Sequence, residues 1–320
     1  MKFRREADLL KTKRIVLFAI LLIAAIFAAS RITLSSDDPF AACAPILSGV
    51  VSVPGYPNQW IFQASGIHQM YARDPALTET MLAGCHIYYV RERTFRPHDV
   101  DSPFPANQPV RQYASLEQFK QDIAYGAIPD DIRIVMYDPE SWEYTPVAEQ
   151  LRSVESIREF GRLAHAHGFT VITIPHDSFL SRIAQRDGVS TAVAFDELDI
   201  AGVAAEAGDI TAVQTQNRQF DPIVFRNYVA KMAARAREVN PDVLVYSELS
   251  TSPYDYTESP VVRRQATPDE LLAAYNAVRD LIDGFYVSVN TPGEAWIAIA
   301  FLTEVQQEIA LAAEDQSTEK

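Results

Sequence analysis

A chain of 320 residues with 48% apolar content is long enough for one large domain or two small ones. The formal charge of −14 is unevenly spread: residues 1–14 hold six Lys or Arg against Glu6 and Asp8, and residues 15–320 carry 22 basic and 40 acidic side chains. A body that acidic is a poor grip for phosphate backbones, which argues against nucleic acid as a partner.

Residues 15–30, IVLFAILLIAAIFAAS, carry no charge, and Arg31 can snorkel while the helix extends to Leu34. Basic residues before this run and almost none just after it predict a membrane anchor over 15–34, with 1–14 on the cytoplasmic side and the body outside. The alternative is a secretory signal cleaved near Ala28, Ala29 and Ser30. Cys43 and Cys85 are the only cysteines. In an exported chain they could form one disulfide, and neither has the company of a zinc site.

Residues 35–49 read as a linker, with the short apolar piece Val50–Val53 after it. Trp60 to Gln63 is the first predicted strand, and Asp74-Pro75 caps a helix reaching about Ala83. His86 to Arg91 is a strand. Residues 92–113, rich in Pro and without periodicity, read as a long loop. Ser115 with Gln118 opens a helix to Tyr125, and Ile132 to Tyr137 is the next strand. A helix from Pro146 to His167, stopped by Gly168, leads into the strand Phe169 to Ile174. The unit recurs: helix Leu198 to Ala207, strand Ile210 to Gln214, helix Asp221 to Val239 and strand Val243 to Tyr246. Capping boxes at Thr267–Glu270 and Thr291–Glu294 flank the strand Gly284 to Val289, and a last helix runs to about Ala313, leaving 314–320 as a frayed tail.

Seven strands alternating with helices predict a parallel α/β fold, and a TIM-like (β/α)8 barrel over residues 50–313 fits best. Val50–Val53 is the candidate for the missing strand, which makes the first strand irregular. No GxGxxG, P-loop, HExxH or GxSxG occurs, so no nucleotide, cofactor or metal is predicted and no serine-nucleophile elbow is present.

In such a barrel the residues just past the strand ends converge on one mouth. Here they are Gln63, Ser65, Arg91, Glu92, Asp138, Glu140, His176, Asp177, Gln214, Gln216, Glu248 and Asn290. Carboxylates, amides and a histidine suit a site that grips hydroxyls and moves protons. Glu140 and Glu248 follow strands three apart in order, so they face each other across the mouth and could divide into an acid and a nucleophile or base. Asp138 competes with Glu140 for the inward position. His176 and Asp177 could carry or orient a proton, or Asp138, Asp177 and Glu248 could hold a divalent ion. Trp142, Tyr144, Tyr254, Tyr256 and Trp296 lie in the same loops, where flat rings pack well on sugar faces, whereas Tyr137 and Tyr246 suit the core.

The repeated βα units, the loop YDPESWEYTP and the segment YSELSTSP resemble secreted or membrane-anchored bacterial barrels related to glycoside hydrolases. The resemblance implies a polysaccharide or oligosaccharide partner. In the large retaining clan with this fold the acid/base glutamate follows strand four and the nucleophile strand seven. With Val50–Val53 counted as strand one, Glu140 and Glu248 take those places, although Pro139 stands where that clan has Asn. Three readings follow: an envelope glycan hydrolase, a non-catalytic envelope protein that binds glycan or protein through its mouth, and a metal-dependent hydrolase.

Overall fold

A computed structural model describes residues 55–318 apart from 58, 85, 94–99, 257 and 259, with only the backbone of Glu92 and of residues 316–318. The predicted anchor, the linker, Val50–Val53, the Cys43 and Cys85 pairing and the last two residues lie outside the described residues. Among the described residues, no helix is long and apolar enough to cross a membrane.

Eight parallel strands close into a TIM barrel: β1 (Gln59–Gln63), β2 (Ile87–Arg93), β3 (Gln108–Tyr113), β4 (Ile134–Tyr137), β5 (Thr170–Thr173), β6 (Ile210–Val213), β7 (Leu244–Ser250) and β8 (Gly284–Ser288). Each pairs with the next in chain order, and β8 returns to β1 with Phe285 opposite Trp60. Between β7 and β8 a short antiparallel ribbon joins Tyr254–Asp255 to Val262–Arg263.

The completing strand is β3, which lies inside the stretch read from sequence as loop. QPVRQY lacks an apolar run: Pro109 cannot donate to a ladder, and Gln108, Arg111 and Gln112 are polar. Only closure makes it a strand, because Val110 finds Val90 on one side and Ile134 on the other. The barrel is therefore complete without Val50–Val53. Among the described residues, no helix separates β2 from β3.

Local signals hold at most helix starts. Asp74 Oδ1 accepts from the Leu77 N–H at 3.0 Å, Ser115 Oγ from Gln118 at 3.2 Å, and Asp221 Oδ1 from Ile223 and Val224 at 3.1 Å each. Thr267 and Glu270 form the reciprocal box. Gly168 takes φ +77°, the left-handed stop its position calls for. The Thr291 box does not form. Pro292–Glu294 is a 3-10 turn instead, and the Glu294 carboxylate is claimed by Thr251 Oγ1 at 2.5 Å and Ser252 Oγ at 3.1 Å. The helix expected from Pro146 to His167 is likewise two pieces, Val147–Gln150 and Ser153–Ala166.

Alternate strand residues take opposite faces. One set packs against helices: Trp60, Phe62, Val245, Phe285 and Val287 in one outer cluster, Tyr113, Val135, Tyr137 and Val171 in another. The other set, with Ile61, Val110, Met136, Ile172, Ala212, Tyr246 and Tyr286, is buried yet belongs to neither cluster and fills the lumen. Tyr137 and Tyr246 are thus core residues. The Tyr137 ring stacks on Phe160 at 4.6 Å, and Phe160 stacks on Phe119 at 4.4 Å. Truncating that central ring removes contacts on both sides, so Phe160→Ala is expected to cost about 3–5 kcal/mol by denaturant titration. An unchanged midpoint would contradict this packing.

Candidate active site in the barrel mouth

The lumen turns polar toward the C-terminal strand ends. Two residues beyond Ile61, Val110, Met136, Ala212, Tyr246 and Tyr286 stand Gln63, Gln112, Asp138, Gln214, Glu248 and Ser288, on strands or just past their ends, while Ile172 is followed by the apolar Ile174. Asp138, buried, accepts from Gln112 Nε2 and from Gln214 Nε2, the latter at 2.8 Å. Both of its oxygens are used as acceptors, as an ionised carboxylate requires. Burial pushes its pKa up to about 6, with Arg93 and the two amides pulling the other way.

Glu248, on β7, is also buried, and Ser288 Oγ donates to its Oε1 at 2.8 Å. Burial pushes it up to about 8, the Asp138 charge adds to this, and the Ser288 bond and Arg93 oppose it. Glu140, half-buried, is also pushed up to about 8, first by burial and then by the charges of Asp138 and Glu248. Three carboxyls with three environments share one field. Burial raises the proton affinity of all three, and of the two glutamates more than of Asp138.

The loop after β4 is pinned at several points. Thr145 Oγ1 donates to the Ala114 carbonyl at 2.8 Å and accepts from the Glu140 N–H at 3.3 Å and from Trp142 Nε1 at 2.8 Å. Glu149 accepts from Ser115 Oγ, the Leu116 and Glu117 N–H groups and the Tyr137 hydroxyl, all within 3.0 Å. Its carboxylate thereby satisfies the start of helix Leu116–Tyr125 and anchors the loop that carries Glu140. Trp142 meets Tyr144 edge to face at 5.5 Å, and Tyr144 is exposed.

The remaining predicted residues divide. Gln63 Nε2 reaches the Tyr286 hydroxyl at 3.4 Å, at the level of the carboxyls. Gln214 spans Asp138 and the Ile174 carbonyl. Asp177 adds to the repulsion felt by Glu140, and its Oδ2 takes the Thr191 hydroxyl at 3.4 Å. His176 Nδ1 accepts the Ser178 N–H at 3.0 Å, and burial lowers its pKa, so the ring is neutral and caps a turn. Asn290 Nδ2 donates to Ser250 Oγ at 2.9 Å and to Ser252 Oγ at 3.3 Å, tying the end of β8 to β7. Gln216 sits in a 3-10 turn with a buried Oε1 that has no partner. Tyr254, Tyr256 and Trp296 are exposed.

Arg91 does not join the carboxyls, because its guanidinium is taken up with Asp131, Nη2 to Oδ1 at 3.1 Å. A bulge between Val90 and Glu92 then shifts the alternation of β2 and sets Arg93 opposite Gln112 on the lumen side. The side chain of Glu92 lies outside the described residues. Sequence reasoning therefore missed Arg93, Gln112 and Ser288. Gln112 was hidden with β3, and Ser288 is a small residue whose role needs Glu248 beside it.

Among the described residues, no three His, Cys, Asp or Glu side chains converge to hold a metal ion. Asp138, Asp177 and Glu248 thus do not form the ligand set that spacing allowed. Asp138 instead has amides on both oxygens.

No protein-family model matches this chain, and no curated protein matches it in sequence. Solved barrels do resemble it. Triosephosphate isomerase from Bartonella henselae has 12% identity over 78% of this chain and 99% of its own, with a TM-score of 0.43. Bee venom hyaluronidase has 12% identity over 77% of this chain and 97% of its own, TM-score 0.46. The spore cortex-lytic enzyme SleL of Bacillus megaterium QM B1551 has 8% identity over 78% of this chain and 74% of its own, TM-score 0.44. Likeness at this level concerns the barrel alone.

Proposed function

We propose that this chain hydrolyses glycosidic bonds of an extracytoplasmic polysaccharide at the mouth of its barrel, held at the membrane by residues 15–34. The observation that carries this reading is the gathering of three carboxyls at one barrel mouth, Asp138 buried between two amides, Glu248 buried beside Ser288 and Glu140 on the loop after β4. Cleavage of a glycosidic bond needs a proton for the leaving oxygen and a negative charge beneath the cationic sugar. Glu140, on its pinned loop, holds the proton. Asp138, fixed by two amides, holds the charge. Glu248, from the far side of the barrel, is the second carboxyl and acts as nucleophile or base in the molecules in which it has released its proton to solvent. Exposed Tyr144, Tyr254, Tyr256 and Trp296 provide flat surfaces beside the mouth for sugar rings.

The test is reducing-end release from a panel of envelope polysaccharides as a function of pH. Activity should rise toward about pH 8 as Glu248 ionises and fall above it as Glu140 loses its proton. No release from any member of the panel, or a profile flat from 5 to 9, would remove the reading.

A further inference from the structure

The mouth holds one cation whose use the hydrolytic reading leaves open. Arg93 is partly buried and makes no hydrogen bond, ion pair or ring contact among the described residues. Other partly buried arginines are engaged: Arg226, Arg235, Arg237 and Arg264 each hold an Asp or Glu, and Arg218 lies over the Tyr228 ring at 4.1 Å. Arg93 stands in the field of Asp138, Glu140 and Glu248 and bonds to none of them. Its cross-strand neighbour Gln112 keeps a buried Oε1 without a donor, and Arg93 does not fill that either. A guanidinium placed only to neutralise the carboxyls would pair with one, because leaving its N–H donors unmade in a partly buried position is costly.

We propose that Arg93 recognises a carboxylate borne on the sugar ring, so that the glycan residue taken at the mouth is a uronate. This rests on the carbohydrate reading of the same site. The planar guanidinium matches a carboxylate with two parallel hydrogen bonds, which a sugar hydroxyl cannot reproduce. The excess of 40 acidic over 22 basic residues in the body repels a dense polyanion at long range, so the fitting substrate carries isolated acid groups among neutral sugars.

The experiment is a calorimetric titration of the full-length protein in detergent with methyl β-glucuronide, methyl β-glucoside and methyl β-glucoside 6-sulfate. The glucuronide should bind about tenfold or more tightly than the glucoside, the scale of a charge-assisted pair. Arg93→Gln should bring the two within about twofold, Arg93→Lys should recover part of the gap, and both variants should still unfold in one cooperative thermal transition. Equal binding of glucuronide and glucoside, or a preference that survives Arg93→Gln, overturns the proposal. Tighter binding of the sulfate than the glucuronide overturns the carboxylate assignment. The readout is binding, so an Arg93-dependent preference in a protein that cuts no polysaccharide would remove the hydrolase and keep the anion site. Polysaccharide cleavage without the preference would do the reverse.

Discussion

Glu140→Gln is expected to lower kcat by about 10²–10⁴, the usual weight of a positioned general acid. An amide keeps the size of the side chain and leaves the backbone N–H bond to Thr145 in place, but it has no proton to give. Its removal also takes one carboxyl out of the shared field. Asp138 and Glu248 both contribute repulsion to Glu140, and the relation is mutual, so the residual activity should lose its fall near pH 8. A substrate with a leaving group that needs no protonation, such as a dinitrophenyl glycoside, should be spared most of the loss. Equal loss on activated and natural substrates would assign Glu140 to some other task, and an unchanged kcat would end its candidacy.

Glu248→Gln is expected to stabilise the fold while impairing turnover. The folded-state pKa of Glu248 is about 8 against an ordinary 4.5, because burial disfavours its charged form. Below pH 4.5 both folded and unfolded chains keep the proton, and the residue costs nothing through ionisation. Between 4.5 and 8 the unfolded chain releases the proton and the folded chain retains it, so stability falls as pH rises, and above 8 the full cost stays. Glutamine does not titrate. The variant should therefore gain progressively over the parent across that window, reaching about 3–4 kcal/mol near pH 8. Ser288 Oγ can still donate to an amide oxygen, so the hydrogen bond survives the change. Denaturant titrations of both proteins at pH 4.5 and pH 8 measure this directly. A pH-independent difference would show that Glu248 is not buried as a proton-holding carboxyl. Gain of stability with loss of activity is the expected signature of a site whose groups are placed for chemistry rather than for folding.

The two glutamates reach their expected strands by a different route than the sequence implied. Glu140 follows β4 and Glu248 lies on β7, the positions read from the chain when Val50–Val53 was counted as the first strand. The numbering survives because one hidden strand, β3, replaces the other candidate. QPVRQY could not be found by hydrophobic pattern, since its identity depends on ladder partners in β2 and β4 that lie about twenty residues away on either side. The same dependence brings Arg93 into the lumen. In HIYYVRER strict alternation puts Glu92 with Tyr88 and Val90, and only the bulge moves Arg93 inward. The aromatics, by contrast, were legible: Tyr137, at a strand end, is stacked in the outer core, and Trp142 stands on the pinned loop after it.

The sequence by itself determined the repeated strand and helix units, most of the helix caps and stops, and the strands after which carboxyls and amides would gather. These follow from periodicity, capping and turn chemistry, which act between residues a few positions apart. Only the tertiary structure decided which strand closes the barrel, which arginine enters the lumen and that burial raises the proton affinity of Asp138, Glu140 and Glu248. Register and closure are set by neighbours distant in the chain. Proton affinity is set by how much water is excluded and which charges share the space. Neither quantity exists until the barrel has closed.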